Sequence, residues 1–200
     1  MTTPILLALA TGYLLGSIPF GLLLTRFSGR GNLRDIGSGN IGATNVLRTG
    51  SKPLAALTLL LDSAKGVAAV MIAQRLWPDG VLFAAAGAMI GHLYPVWLRF
   101  KGGKGVATFL GVIAPLLWQA AIVYALVWIG LLLVLRISSV AGMAAAASAP
   151  LTAAVAGMTN LFPMFLGFAV LVIWKHQENI RRLIEGTEPR VGQTSGKREA

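Results

Sequence analysis

Residues 105–135 read GVATFLGVIAPLLWQAAIVYALVWIGLLLVL, 31 positions without a charged side chain. A bilayer core is crossed by roughly 20 apolar residues, so this run is too long for one comfortable span. Pro115 and Gly130 are the candidate breaks, because proline removes a backbone donor and glycine weakens a helix. Dividing the run near Pro115 gives a short segment and a full span. That division decides the fold, since it sets the face of the membrane on which every later loop lies.

Three more uncharged runs, 1–25, 80–98 and 137–174, bring the uncharged total to 113 of 200 residues. Pro4 to Thr25 has no Lys or Arg ahead of it and so lacks the basic start of a cleaved signal peptide; it reads as a retained first span. Pro53 to Gln74 is a second span despite Asp62 and Lys65, and Val81 to Leu98 is a third. Ile137 to Trp174 divides at Gly157-Met158-Thr159-Asn160 into two more. The expectation is an all-α polytopic membrane protein of about seven transmembrane helices. With that count every Lys and Arg except Arg75 and Lys65 falls on one face, as the positive-inside bias requires. Leaving 105–135 whole would put Arg136 and the C-terminal tail across from the first basic loops. The N-terminus is therefore expected outside, with the C-terminus and basic loops cytoplasmic. Gly12, Gly16 and Gly21, and the alanine-rich 141–149 stretch, would let helices approach closely. Residues 1–190 form one expected domain and 191–200 a flexible tail.

Composition agrees. The chain is 56% hydrophobic and 12% charged, about half the charge of a soluble domain. Its mean hydropathy is +0.73. These values exclude soluble, fibrous, disordered and nucleic-acid-binding classes. The net charge of +10 sits in the loops, so it reports topology rather than a polyanionic partner. Absence of cysteine removes disulfides, thiolate metal sites and cysteine nucleophiles.

Three segments on the cytoplasmic side carry candidate chemistry. The first, Gly37-Ser38-Gly39-Asn40-Ile41-Gly42-Ala43-Thr44-Asn45-Val46-Leu47-Arg48, combines glycines, neutral hydrogen-bonding groups and a planar cation, a mixture that suits a phosphate better than a plain connecting loop. In the second, Arg99 to Thr108, Gly102, Gly103 and Gly105 interleave with Lys101 and Lys104 ahead of an apolar helix, so amides, ammonium groups and a helix N-terminus could meet one anion. It is not a Walker loop, and the bias toward basic membrane-edge loops explains its lysines but not its glycines. The third, His176 to Glu188, places His176 and Asn179 on one helix face and lets Glu178 pair with Arg181 or Arg182. A capped interfacial helix end fits it as well as a site does. Asp62 and Lys65 at i, i+3 are costly in lipid unless paired, and a structural ion pair is as compatible as a catalytic role. His92, followed by Tyr94-Pro95, reads as a hydrogen-bonded helix-end histidine. No Gly-x-Ser-x-Gly elbow, no carboxylate cluster around the two histidines and no His-x-x-x-x-Asp pair is present.

Together, GSGNIGATNVLR, GHLYPVWLRFKGGKGVAT and HQENIRRLIEGTE closely resemble the three signature motifs of the bacterial membrane acyl-phosphate:glycerol-3-phosphate acyltransferases. The resemblance runs from Gly16-Ser17-Ile18-Pro19-Phe20-Gly21 to Glu188. It implies transfer of an acyl group from acyl phosphate to the 1-hydroxyl of sn-glycerol 3-phosphate, giving lysophosphatidic acid and inorganic phosphate at the cytoplasmic side of the bacterial inner membrane. Carried over by motif, Ser38, Arg48, Lys104, His176 and Asn179 take active-site positions. Gly37, Gly39, Asn40, Thr44, Asn45, Gly102, Gly103 and Gly105 take substrate- or phosphate-binding ones. Neither a cofactor nor a metal is implied; the partners are the two substrates, membrane lipid and an enzyme that makes acyl phosphate. The chemistry is consistent: an acyl phosphate is already activated, so direct attack needs positioning and charge neutralisation more than a protein nucleophile. The proton has two acceptors open to it, a substrate phosphate oxygen and His176. A permease for phosphorylated metabolites would place polar groups at the bilayer midplane and on both faces, whereas these crowd one face. A scaffold would leave the Gly, Asn and Ser density unexplained.

Overall fold

The structure, a computed structural model, describes residues 2–192; residues 193–200, most of the expected tail, lie outside them. Among the described residues ten α-helices follow in order: α1 Thr3–Gly16, α2 Phe20–Phe27, α3 Ala43–Leu47, α4 Lys52–Leu76, α5 Val81–Leu93, α6 Val106–Leu116, α7 Trp118–Leu135, α8 Ser138–Val155, α9 Phe162–Trp174 and α10 Gln177–Ile184. Among the described residues there is no strand. Among the described residues five segments are long and apolar enough to cross a membrane: α1 with α2, α4, Pro78–Leu98, α7 and α8. Two shorter apolar helices, α6 and α9, complete the set. The 105–135 run does divide: the break falls at Leu117, two residues after Pro115, where the backbone turns to φ −155°. Gly130 causes none, and α7 runs through it. The later run divides between Val155 and Phe162, where expected.

Two boundaries differ from the sequence reading. The first run is not one helix, because Pro19 has no N–H to continue the ladder and the chain breaks at Ser17-Ile18. Carbonyls freed inside an apolar layer must find other donors. The Ile18 carbonyl accepts from Lys65 Nζ at 2.8 Å and the Ser17 carbonyl from Trp97 Nε1 at 2.9 Å. Likewise α5 stops at Leu93, ahead of Pro95, and Tyr13 Oη secures this end by donating to the Tyr94 carbonyl and accepting from the Val96 N–H, each at 3.0 Å.

Small residues set the packing. A Cβ added to Gly12 or Gly16 of α1 would lie 2.1 Å from the carbonyl oxygen of Ala84 or Ala88 on α5. Gly87 and Gly91 of α5 return the contact against Leu9 and Tyr13. These two small-xxx-small faces let backbones touch, which in lipid replaces the hydrophobic drive. Gly21 does the same against Ile41, which brings the first polar segment against α2. On α8, Ala141, Ala145, Ala146, Ala149 and Ala153 are all fully buried. The largest buried side chains gather around Phe109 of α6, whose ring meets Tyr124, Phe165 and Phe168 edge-on at 5.6, 6.0 and 5.5 Å. Tyr124 satisfies its hydroxyl on the Val106 carbonyl at 2.9 Å, so the first turn of α6 is fixed to α7. Val191 N–H donates to the Arg136 carbonyl at 2.6 Å, tying the chain after α10 to the corner between α7 and α8.

Candidate active site

The first segment folds around Asn45, which is 2% exposed. Its side-chain nitrogen donates to the carbonyls of Leu33, Ile36 and Asn40 at 2.8–3.0 Å, and its oxygen accepts from Ser38 N–H at 3.2 Å and Ser38 Oγ at 3.4 Å. Asn45 thus spends its amide on the loop. Asn40 does likewise, accepting from Gly42 N–H at 3.0 Å, while Thr44 Oγ1 meets Ser138 Oγ at the start of α8 at 2.8 Å. Gly37 and Gly39 take left-handed φ of 56° and 65°, the conformation that favours glycine. A Cβ on Gly37 would lie 2.6 Å from Arg48, so that glycine makes room for the guanidinium. Arg48 is exposed, and no described residue hydrogen-bonds its side chain. Burial of its stem holds its pKa below the ordinary value, opposed by the charge of Glu188. Arg34 joins this segment to the second, its Nη2 donating to the Lys101 carbonyl at 2.7 Å.

In the second segment the glycines act chiefly through shape. Gly102 N–H donates to the Leu93 carbonyl at 3.1 Å and Gly103 N–H to the His92 carbonyl at 3.0 Å, so neither amide is the exposed donor that the sequence suggested. Both lie too close to His92 for a side chain: an added Cβ would approach within 2.1 Å of the His92 carbonyl oxygen at Gly102 and 2.2 Å of its Nε2 at Gly103. Gly105 caps α6 with φ 88°. Val106 opens α6 behind the N-cap Gly105, so the N–H groups of its first turn have no intrahelical partner and make its open N-terminus.

The third segment closes the site. Lys104 Nζ donates to Asn179 Oδ1, and Asn179 Nδ2 donates to Glu188 Oε1 at 2.5 Å. Glu188 also accepts from Ser139 Oγ at 2.6 Å and Arg182 Nε at 2.7 Å. Burial would raise the Glu188 pKa, but these three donors and the Arg182 charge hold it below the usual range. Burial brings Lys104 down to about 8, against the pull of Glu188. His176 is 3% exposed, and its Nδ1 lies 2.7 Å from the Val172 carbonyl. A carbonyl only accepts, so Nδ1 carries the proton and Nε2 keeps its lone pair. Burial and the Lys104 charge lower His176 to about 4, although its bond to Val172 works against them.

Lys104 is thus bonded to Asn179, the charge of Arg48 is felt at Lys104 and that of Lys104 at His176, and Ser38 is held on Asn45 next to Gly37. Sequence reasoning missed Glu188 as the organising carboxylate: it let Glu178 pair with Arg181 or Arg182, whereas Arg182 pairs with Glu188 at 2.7 Å and Arg181 with Glu185 at 3.8 Å. Glu188 returns to the helix through a turn at Gly186 (φ 68°), a bend with no helical periodicity to announce it. Ser139 was missed as well, since only tertiary packing brings α8 to the third segment. Asp62 and Lys65 form a buried ion pair at 2.7 Å. His92 Nδ1 has no hydrogen-bond partner among the described residues, contrary to the expected helix-end bond. Among the described residues no three His, Asp or Glu side chains stand together as metal ligands would.

Comparison with known proteins gives one answer. The family model for glycerol-3-phosphate acyltransferase matches residues 6–186. A glycerol-3-phosphate acyltransferase of Mesorhizobium japonicum is 53% identical over 192 residues, covering 96% of this chain and 98% of the relative. The fold matches the crystal structure of PlsY, an integral membrane glycerol 3-phosphate acyltransferase, in its glycerol 3-phosphate form, with TM-score 0.89, 41% identity and coverage of 94% of this chain and 96% of that one. The lysophosphatidic acid form of PlsY matches with TM-score 0.86, 40% identity and coverage of 94% and 95%. With its three polar segments gathered into one site and its helices superimposing on that fold, this chain belongs to the glycerol-3-phosphate acyltransferase family.

Proposed function

We propose that the protein moves an acyl group from acyl phosphate to the 1-hydroxyl of sn-glycerol 3-phosphate, releasing lysophosphatidic acid and inorganic phosphate. The observation that carries this reading is the chain Lys104–Asn179–Glu188 beside Arg48, which holds two cations apart but within one site. Two phosphate-bearing substrates need two such cations. The PlsY relatives solved in glycerol 3-phosphate and lysophosphatidic acid forms hold the acceptor and the product of this reaction.

The substrate hydroxyl attacks the acyl carbon, the C–O bond to phosphate breaks, and phosphate leaves with the electron pair. Lys104, Arg48 and the open N–H groups at the start of α6 neutralise the phosphates and the developing oxyanion. With its pKa near 4, the His176 ring is a weak base, so a substrate phosphate oxygen takes the hydroxyl proton and His176 Nε2 serves as a neutral acceptor that orients substrate. Ser38, bonded to Asn45 rather than to a base, donates a hydrogen bond instead of acting as nucleophile.

The reaction runs at the cytoplasmic face of the inner membrane, with seven crossings and the N-terminus outside. The acyl chain stays in lipid while both phosphates arrive from the aqueous side, supplied on one hand by an enzyme that makes acyl phosphate. Purified protein given acyl phosphate and glycerol 3-phosphate should release phosphate and form lysophosphatidic acid one for one. Turnover with an acyl thioester but not with acyl phosphate would reject the donor assignment.

A further inference from the structure

Beneath the glycine loop lies a buried polar group outside the phosphate-neutralising set. Asp62 and Lys65 of α4 are 3% and 4% exposed, and Lys65 Nζ donates to Asp62 Oδ1 at 2.7 Å as well as to the Ile18 carbonyl at 2.8 Å. His92, 4% exposed near the end of α5, sets its Nδ1 3.9 Å from the same Asp62 oxygen. That is beyond a hydrogen bond, and Nδ1 has no other partner among the described residues. The far edge of the ring faces the loop, where a Cβ on Gly103 would fall 2.2 Å from Nε2. The carbonyls of His92 and Leu93 take the N–H groups of Gly103 and Gly102. The loop that delivers Lys104 is therefore seated on one imidazole, and the opposite edge of that imidazole looks at a carboxylate.

A buried ion pair returns little net stability, and a buried unpartnered nitrogen costs free energy, so neither is explained by folding alone. We propose that Asp62, Lys65 and His92 are positioning residues: Lys65 braces the Asp62 carboxylate, Asp62 orients the His92 ring, and the ring sets the height of Gly102-Gly103-Lys104 against the substrate phosphate. This unit rests on the acyl-transfer reading of the site above it. It also couples the break between α1 and α2 to the loop, because Lys65 holds both the Ile18 carbonyl and Asp62.

The test is steady-state kinetics of His92→Leu, His92→Asn and His92→Gln, with KM measured separately for each phosphate substrate. Asn places an N–H where Nδ1 stands, whereas Gln places its amide where Nε2 stands. His92→Leu, His92→Asn and His92→Gln should each raise KM for one substrate about tenfold and leave the other within about twofold, because Asn loses the edge under Gly103 and Gln loses the nitrogen that faces Asp62. Asp62→Asn should raise the same KM and add nothing to His92→Leu, because both cut one link. Unchanged KM values in a folded His92→Leu protein, or multiplying effects in the double variant, would overturn the inference. If His92→Leu does not fold, the Asn and Gln variants decide, and an unchanged KM in either folded variant overturns it. A parent protein that releases no phosphate from acyl phosphate would instead reject the acyl-transfer reading. The inference would then be judged by calorimetric binding of inorganic phosphate, which should weaken in both His92→Asn and His92→Gln; unchanged binding in either would overturn it.

Discussion

The ammonium of Lys104 is hydrogen-bonded to the side-chain oxygen of Asn179, and this one bond joins the loop before α6 to α10 across 75 residues of sequence. Because the Asn179 nitrogen is committed to Glu188, the amide can present only its oxygen to Lys104. The cation is thereby aimed without a full countercharge against it.

Lys104→Ala and Arg48→Ala should each lower kcat/KM by about a hundredfold or more, since each removes a charge-assisted contact to a desolvated phosphate. Lys104→Arg should lose nearly as much, because a planar fork does not reproduce a point ammonium held on the Asn179 oxygen. Lys52→Ala, at the exposed start of α4, is the control. Arg48→Ala turning over like that control would take Arg48 out of the site.

The pH profile should carry the signature of Lys104. Its pKa lies near 8 rather than the ordinary 10.5, so in the free protein the ammonium is present below about 8 and lost above it. Log kcat/KM should then fall with unit slope above pH 8. His176, neutral down to about 4, should add no acid limb near 6.5. A profile flat to pH 10 would show that Lys104 binds substrate without its charge or not at all.

Orientation is read by chemistry on a chain that has no cysteine of its own. Single cysteines at the exposed positions Ser28 and Lys101 should resist an impermeant thiol reagent in intact cells, and one at the exposed Asp79 should react. Labelling at Ser28 or Lys101 from outside contradicts the cytoplasmic placement of the site.

Helix packing makes a stability prediction. Gly16→Leu forces a side chain against the Ala88 carbonyl, 2.1 Å from the new Cβ, and should destabilise the protein by about 1–3 kcal/mol in detergent. Gly130→Ala meets nothing within 4 Å and should be neutral or raise stability by up to about 1 kcal/mol. Equal melting temperatures for the two variants would contradict the close contact of α1 and α5.

Much of this was legible in the sequence, for reasons that differ from residue to residue. Uncharged runs and Pro115 marked the apolar helices, because cost of charge in lipid and loss of a backbone donor act locally. Arg48, Lys104, His176 and Asn179 were named by motif, and of these the structure bonds Lys104 to Asn179. The break at Ser17-Ile18 escaped notice although Pro19 marks it locally; what the sequence does not show is that Lys65 and Trp97 satisfy the freed carbonyls. Glu188 and Ser139 escaped because their partners are set by how α8 and α10 meet, which no local period encodes. The glycine loop was found, but not that Gly102 and Gly103 give their N–H groups to α5.

Direct acyl transfer is tested most sharply by rapid-quench mixing of the purified protein with acyl phosphate alone, followed by glycerol 3-phosphate, with phosphate, lysophosphatidic acid and intact protein mass read at each time. Direct transfer predicts no phosphate burst in the first phase, then phosphate and lysophosphatidic acid rising together at one rate, with unchanged protein mass throughout. Ser38→Ala should slow the second phase and leave the first as it was. A burst of phosphate equal to the protein concentration, with one acyl group added at Ser38 and discharged when glycerol 3-phosphate arrives, would contradict it.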